Sequence, residues 1–372
     1  MTMDRREFLI KSAAFGCATA LGQGLLWGNK IYAGGHGLHP ARWQEKLPDG
    51  EVRCVLCPLN EVLKPGQMGA CRVRENQQGR LVVTNHGKPA AMHLDPVEKN
   101  PLYHYTPGVQ CLALATAGCN LACPACQNWE ISQRKTSQVR TYDLTPEKAV
   151  FYAERNNCGA VSYTFSEPVV FAEYMLDTAR LARKRGMKNH VVTGGFVNPD
   201  PLREICSDVD SMVVSIKGLD DSEYGRAGAF DTIKEVLKII ADSDCWLEIA
   251  VLVVPTRNDD ISQLSTICRW IADNLGPNVP VHFSRFYPSF RLRNLPQTPV
   301  ASLERARRTA LDCGIKYAYV GNVPGHIHNN TYCHNCQEML IQRVGFRVIK
   351  NNLAGSSCPK CKTRIPGIWH QS

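Results

Sequence analysis

Cys111-Leu112-Ala113-Leu114-Ala115-Thr116-Ala117-Gly118-Cys119-Asn120-Leu121-Ala122-Cys123-Pro124-Ala125-Cys126 is the stretch on which the reading turns. Its first six residues form a short apolar run with the look of a buried strand, and a glycine and a Cys-x3-Cys-x2-Cys loop come after it. Further runs of the same kind lie at Ala160–Thr164, Asn189–Thr193, Ser211–Lys217, Trp246–Val253, Val281–Arg285 and Lys316–Val320. Helical patterns fall between them. One opens at Thr145-Pro146-Glu147, a capping Thr with Pro in the first turn. Another covers Val169–Arg185 and stops at Gly186; others cover Phe230–Ala241, Ile261–Asn274 and Ser302–Cys313. Strand and helix alternating over this length predict an α/β protein with a parallel sheet and crossover helices, flat or closed into a barrel. In a barrel the chemistry sits where the strands end, so the cysteine loop stands in a functional position.

Three thiolates at this spacing can hold three irons of a [4Fe–4S] cube and leave the fourth iron a free coordination position. Closed structural sites take four ligands, so a zinc knuckle with a distant fourth ligand is the competing reading. Three cysteines in this pattern after a first β/α-barrel strand resemble the radical SAM superfamily. Ala125 departs from it, since many members carry an aromatic residue before the last Cys. The resemblance implies that the open iron binds S-adenosyl-L-methionine and that the other strand ends line its pocket. Thr193, Gly194 and Gly195 resemble the glycine-rich edge that meets the methionine amino group. Glu167 sets a carboxylate at the second strand end, where an acid favoured by a helix start would look the same. Ser215 and Lys217 share one face of the fourth strand by alternation. His282, Ser284 and Arg285 lie near the sixth, where His282 is either a ribose contact or a satisfied structural histidine.

The chain has 372 residues, 44% hydrophobic and 21% charged. This excludes a disordered chain, a collagen-like repeat and a multi-span membrane protein. A net charge of +9 without any long Lys/Arg block gives no clear nucleic-acid partner. Seventeen cysteines is an odd number, which excludes complete pairing in disulfides, and their clustering points to metal. Cys333-x2-Cys336 and Cys358-x2-Cys361 have zinc-ribbon spacing, with zinc favoured over a rubredoxin-type iron and a pair of redox dithiols as the rival. Cys54, Cys57 and Cys71 form a candidate second metal site, with Glu61 available as a fourth ligand. At the N-terminus, Arg5-Arg6 before an apolar, glycine-containing stretch resembles a twin-arginine export signal ending near Ala33. Export machinery is then a partner, although S-adenosylmethionine and low-potential electrons are cytosolic supplies. The segments are a signal over 1–33, a cysteine module and linker over 34–105, a barrel over 106–325 and a four-Cys module over 326–372.

Longer motifs narrow the resemblance. Asp95-Pro96-Val97-Glu98-Lys99-Asn100-Pro101-Leu102-Tyr103-His104, Ala117-Gly118-Cys119-Asn120-Leu121 and Cys126-Gln127-Asn128-Trp129-Glu130-Ile131-Ser132 are similar to the radical SAM enzyme of the AmmeMemoRadiSam system. That family branches near the pyruvate formate-lyase activating enzymes. Its members usually carry a further Cys where Glu61 stands. The resemblance implies a partial (β/α)6 barrel, a [4Fe–4S]/S-adenosylmethionine pair, a reducing electron donor, and a protein or small-molecule substrate with a Memo-like partner. Activation of a glycyl radical enzyme is an alternative, weakened by the absence of a ferredoxin-like insert after the cluster. A non-catalytic zinc adaptor is the other, and it leaves the central cysteine spacing unexplained.

Overall fold

The structure is a computed structural model and describes residues 38–369. The twin-arginine stretch, Cys17 and the expected signal segment lie outside the described residues. Eight strands form the central sheet: β1 (Ala91–Pro96), β2 (Gln110–Ala115), β3 (Ala160–Tyr163), β4 (Lys188–Thr193), β5 (Ser211–Ile216), β6 (Trp246–Val253), β7 (Val281–Arg285) and β8 (Ala318–Gly321). They lie side by side in chain order. β2 through β8 run parallel and β1 is antiparallel to β2. One helix of regular length lies in each crossover: α1 (Pro146–Arg155), α2 (Ala172–Lys184), α3 (Pro199–Asp208), α4 (Ala229–Ala241), α5 (Ile261–Leu275) and α6 (Val300–Asp312). This is the expected α/β architecture of six β/α units, completed by a seventh parallel strand. The edge strands β1 and β8 do not pair with each other.

The sequence dictates these elements locally. Every residue from Cys111 to Ala115 is buried, as a strand covered on both faces requires. α4 buries Ile233, Val236, Leu237 and Ile240, one stripe at helical spacing, and each buried aliphatic side chain contributes about 1.5–3 kcal/mol. Thr145 caps α1 by accepting from the Lys148 amide, and Gly186 ends α2 at a φ of +74°.

Three details differ from the sequence reading. α3 has no counterpart among the expected helices, because Pro199 and Pro201 look like breakers; both stand in the first turn, where proline costs no hydrogen bond. The helix expected from Val169 begins instead as a 3-10 turn over Pro168–Phe171. Residues 91–96, assigned before the barrel, form its edge strand, whose mixed burial hides it from any apolar pattern.

Two small three-stranded sheets precede the barrel, one from 44–46, 52–54 and 62–63, the other from 39–40, 74–77 and 80–83. They meet α2 through a buried ion pair in which Arg74 Nη2 donates to both Glu173 oxygens at 2.6 and 2.8 Å. After the barrel, a short strand and the β-hairpin Met339–Val344/Arg347–Asn351 form another sheet. Arg343 anchors it, lying 4.1 Å from the Tyr103 ring centre, donating to the Tyr103 carbonyl at 3.0 Å and pairing with buried Glu98. Among the described residues no helix is long and apolar enough to cross a membrane.

Candidate active site

β2 delivers the chain to the C-terminal end of the sheet, where residues 117–126 turn across it. Gly118 makes the turn at a φ of +94°; a Cβ there would stand 2.6 Å from both the Cys71 carbonyl oxygen and a Val73 methyl. The amide of Cys119 donates to that same carbonyl at 3.2 Å. The loop is then pinned from several sides. The Ala122 amide donates to the Tyr224 carbonyl at 2.9 Å, Asn120 Nδ2 to the Phe196 carbonyl at 2.6 Å, and Arg226 Nε to the Asn120 carbonyl at 2.7 Å. Held in this way, Cys119, Cys123 and Cys126 are half-buried and within electrostatic reach of one another.

Burial pushes the Cys119 thiol well above its ordinary range, and neighbouring Glu167 and Cys123 push the same way. Burial also raises Cys123, to about 11, against the pull of Lys217. Thiols crowded in this way resist ionising unless positive charge is supplied, which is what iron would do. The described side chains gather into a one-ion cage elsewhere: the four C-terminal thiols and the set His39, His86 and Asp177 each bring their ligand atoms within 4.8 Å, and the three central cysteines form no such group. A cube seats each thiolate on its own iron and so holds the sulfurs farther apart than one ion does. Three thiols with no fourth protein ligand are the donor set that a cube with one open iron takes, and they fit it.

The strand-end residues converge on this loop. Glu167 is buried; its Oε1 accepts from the Thr193 hydroxyl at 2.6 Å and the Val169 amide at 3.1 Å, and its Oε2 from the Gly194 amide at 2.7 Å. It thus caps the turn after β3 and ties down the glycine edge of β4. Burial raises its carboxyl above the usual range, opposed by those donors. The Gly195 amide donates to Thr193 Oγ1 at 2.9 Å, and Gly194 packs so closely on Leu121 that a Cβ would lie 2.5 Å from its methyl. Lys217 lies within electrostatic reach of Cys123 and Glu167, and Ser215 shares its half-exposed face of β5. Arg285, the last residue of β7, donates to the Thr298 carbonyl at 2.8 Å in the following loop.

His282 stands apart. It is the second residue of β7, toward the other end of the strands, 1% exposed. Its Nε2 lies 2.6 Å from Glu248 Oε2 and its ring stacks on Tyr319 at 5.0 Å. A broad groove also lies at those strand starts, lined by Lys188, Asp210, Trp246, Cys206 and Cys245, away from the cysteine loop. The sequence reading missed three arginines at the loop. Arg72 Nη1 donates to the Cys119 carbonyl at 3.3 Å, Arg226 holds Asn120, and the Arg291 amide donates to the Pro124 carbonyl at 3.2 Å. Each comes from a different segment, so no local pattern marks them.

Cys54, Cys57 and Cys71 are buried together beside this loop, and burial pushes Cys57 up to about 12. The Glu61 carboxylate is engaged with the backbone, both its oxygens accepting the Ala70 amide at 3.0 Å. The C-terminal cysteines do form a cage. Cys333 and Cys361 sulfurs are 3.5 Å apart and those of Cys336 and Cys358 3.7 Å, close to the roughly 3.8 Å that a tetrahedral zinc at about 2.3 Å imposes. Hydrogen bonding with Thr363 draws Cys361 down to about 5, toward the thiolate a metal needs.

The radical SAM superfamily matches residues 114–264, from β2 into α5. An uncharacterized protein of Methanocaldococcus jannaschii is 40% identical over 332 residues, 88% of this chain and 99% of that one. The pyruvate formate-lyase-activating enzyme of Clostridium pasteurianum is 26% identical over 166 residues, 41% of this chain and 66% of the enzyme. Among solved structures, a radical SAM methyltransferase from Sphaerobacter thermophilus aligns over 81% of both chains at 12% identity with a TM-score of 0.47. This chain carries a radical SAM domain and belongs to the family of the Methanocaldococcus protein.

Proposed function

We propose that this protein is a radical SAM enzyme whose [4Fe–4S] cluster is held by Cys119, Cys123 and Cys126. The observation that carries the reading is the junction of the three-cysteine loop with the Glu167–Thr193–Gly194 network at the strand ends. Held by Cys119, Cys123 and Cys126, the cluster would supply the single electron for reductive cleavage of S-adenosylmethionine to methionine and a hydrogen-abstracting 5′-deoxyadenosyl radical. The chain's own residues position and shield. Thr193, Gly194 and Gly195 offer an edge without bulky side chains for the methionine part, with Glu167 holding it in shape. Lys217 balances negative charge between Cys123 and Glu167, and Ser215 and Arg285 line the opening. His282 is left a structural role beside Glu248. The C-terminal thiols hold zinc as a closed structural centre.

The reading requires a one-electron donor and leaves the hydrogen donor to be identified: a small molecule, or a protein with a Memo-like partner. Activation of a glycyl radical enzyme is the second reading, favoured by the likeness to pyruvate formate-lyase-activating enzymes. The test is anaerobic reconstitution with iron and sulfide, then dithionite and S-adenosylmethionine. Wild type is expected to release 5′-deoxyadenosine and Cys123→Ala none. Uptake of zinc only, with no cluster in the wild type, would favour a metal-binding adaptor.

A further inference from the structure

A second set of ligating side chains lies outside this chemistry, at the seam between the N-terminal sheets and the barrel. His39 opens a short strand paired with Val83. His86 stands in the turn just beyond that partner strand, and Asp177 in the middle of α2. His86 Nε2 is 2.9 Å from Asp177 Oδ2. The His39 and His86 rings stack with centres 3.9 Å apart and planes within 3°. One nitrogen of each ring and a carboxylate oxygen all fall within 4.8 Å of one another. Metal–ligand bonds of about 2.0–2.1 Å in a tetrahedral site set neighbouring ligand atoms roughly 3.3 Å apart, so only a small adjustment separates this group from a coordination sphere.

Around the group, Glu147 is the nearby acid and Arg180 the nearby base, while Glu173, one turn before Asp177, is already neutralised by Arg74. Two imidazoles with one carboxylate are ligands of the zinc type, intermediate in softness. Three ligands leave one position, and the partial exposure of Asp177 opens it to water.

We propose that His39, His86 and Asp177 bind one divalent ion of the zinc class, which staples the N-terminal sheets to α2. The ion works at the same seam as the Arg74–Glu173 pair and the Arg42 amide, which donates to Glu173 at 2.8 Å. It lies on the module that carries Cys71, the residue whose carbonyl seats the cluster loop. This is independent of the radical chemistry, since the ligands are not those of either cysteine site.

The experiment uses the full chain with its cluster reconstituted on Cys119, Cys123 and Cys126 and its four-thiolate site filled with zinc, so that added metal reports new sites. Isothermal titration with zinc alone is expected to show one further equivalent in wild type, weakened at least tenfold in His86→Ala and in Asp177→Asn. Cobalt in its place is expected to give weak ligand-field bands with no sulfur-to-metal charge-transfer band. Thermal midpoints provide a second readout: zinc at a concentration near the wild-type Kd should raise that of wild type and barely move that of Asp177→Asn, which keeps the side chain's size. No further equivalent in wild type, binding that survives both substitutions, or a thiolate spectrum at the new site would each overturn the proposal.

Discussion

Gly118 shows how much of the site depends on a single missing methyl. Its φ of +94° and the carbonyl of Cys71 together leave no room for a Cβ. Gly118→Ala should therefore cost about 1–3 kcal/mol in backbone strain alone and push the loop off its seat. The expected outcome is a folded protein that retains much less cluster iron after reconstitution, read from iron content and visible absorbance. Glu173 belongs to the same scale. It is 1% exposed and faces Arg74, equally buried, so Glu173→Ala leaves an uncompensated guanidinium. A loss of about 3–5 kcal/mol is expected, measured as a lower urea midpoint at unchanged slope. Exposed pairs such as Arg203–Asp200 should show almost nothing in the same assay.

Among the elements, the C-terminal hairpin depends on its thiol cage. Apart from that cage its core is small: Tyr103, Tyr317, Tyr319, Leu340, Ile341 and Ile365. Without metal, four thiols close together lose their reason to converge. Chelation, or Cys358→Ser, is expected to open residues 331–369 to proteolysis while the barrel keeps its helical circular dichroism. The docking of the segment through His104 should loosen with it. The His104 Nδ1–H donates to the Pro366 carbonyl at 2.6 Å, because that oxygen can only accept, and Nε2 accepts from the Tyr319 hydroxyl at 2.6 Å.

Over the whole molecule, acid stability depends on buried imidazoles. Burial brings the fully buried His104 and His190 to about 4 and also lowers the half-buried His39, His328 and His334. Unfolding returns each to about 6.5, so the unfolded chain binds more protons between pH 6.5 and 4. Stability should then fall as pH drops through that window, by at most about 3 kcal/mol for each of His104 and His190. Glu98 and Glu167, raised by burial, act in the opposite direction. The half-buried His39, His328 and His334 add to the histidine side, and the expected outcome is a urea midpoint that decreases from pH 6.5 to 4.

Local chemistry made the seven parallel strands, five of the six helices and both principal cysteine groups readable from the sequence alone. Apolar runs, caps and ligand spacings are short-range properties, and each carries its own physical reason. Relations between distant segments needed the tertiary structure. α3 was hidden by prolines that are harmless only at a helix start, and β1 by a mixed burial that leaves no apolar alternation along it. The polar contact expected of His282 gave way to Glu248, because position along the strand decides which end of the sheet a side chain serves. Arg72, Arg226 and Arg291 reach the cysteine loop from three parts of the chain, and His39 meets Asp177 across 138 positions of sequence. Spacing identifies ligands that are neighbours in the chain; ligands brought together by packing become visible only when the chain has folded.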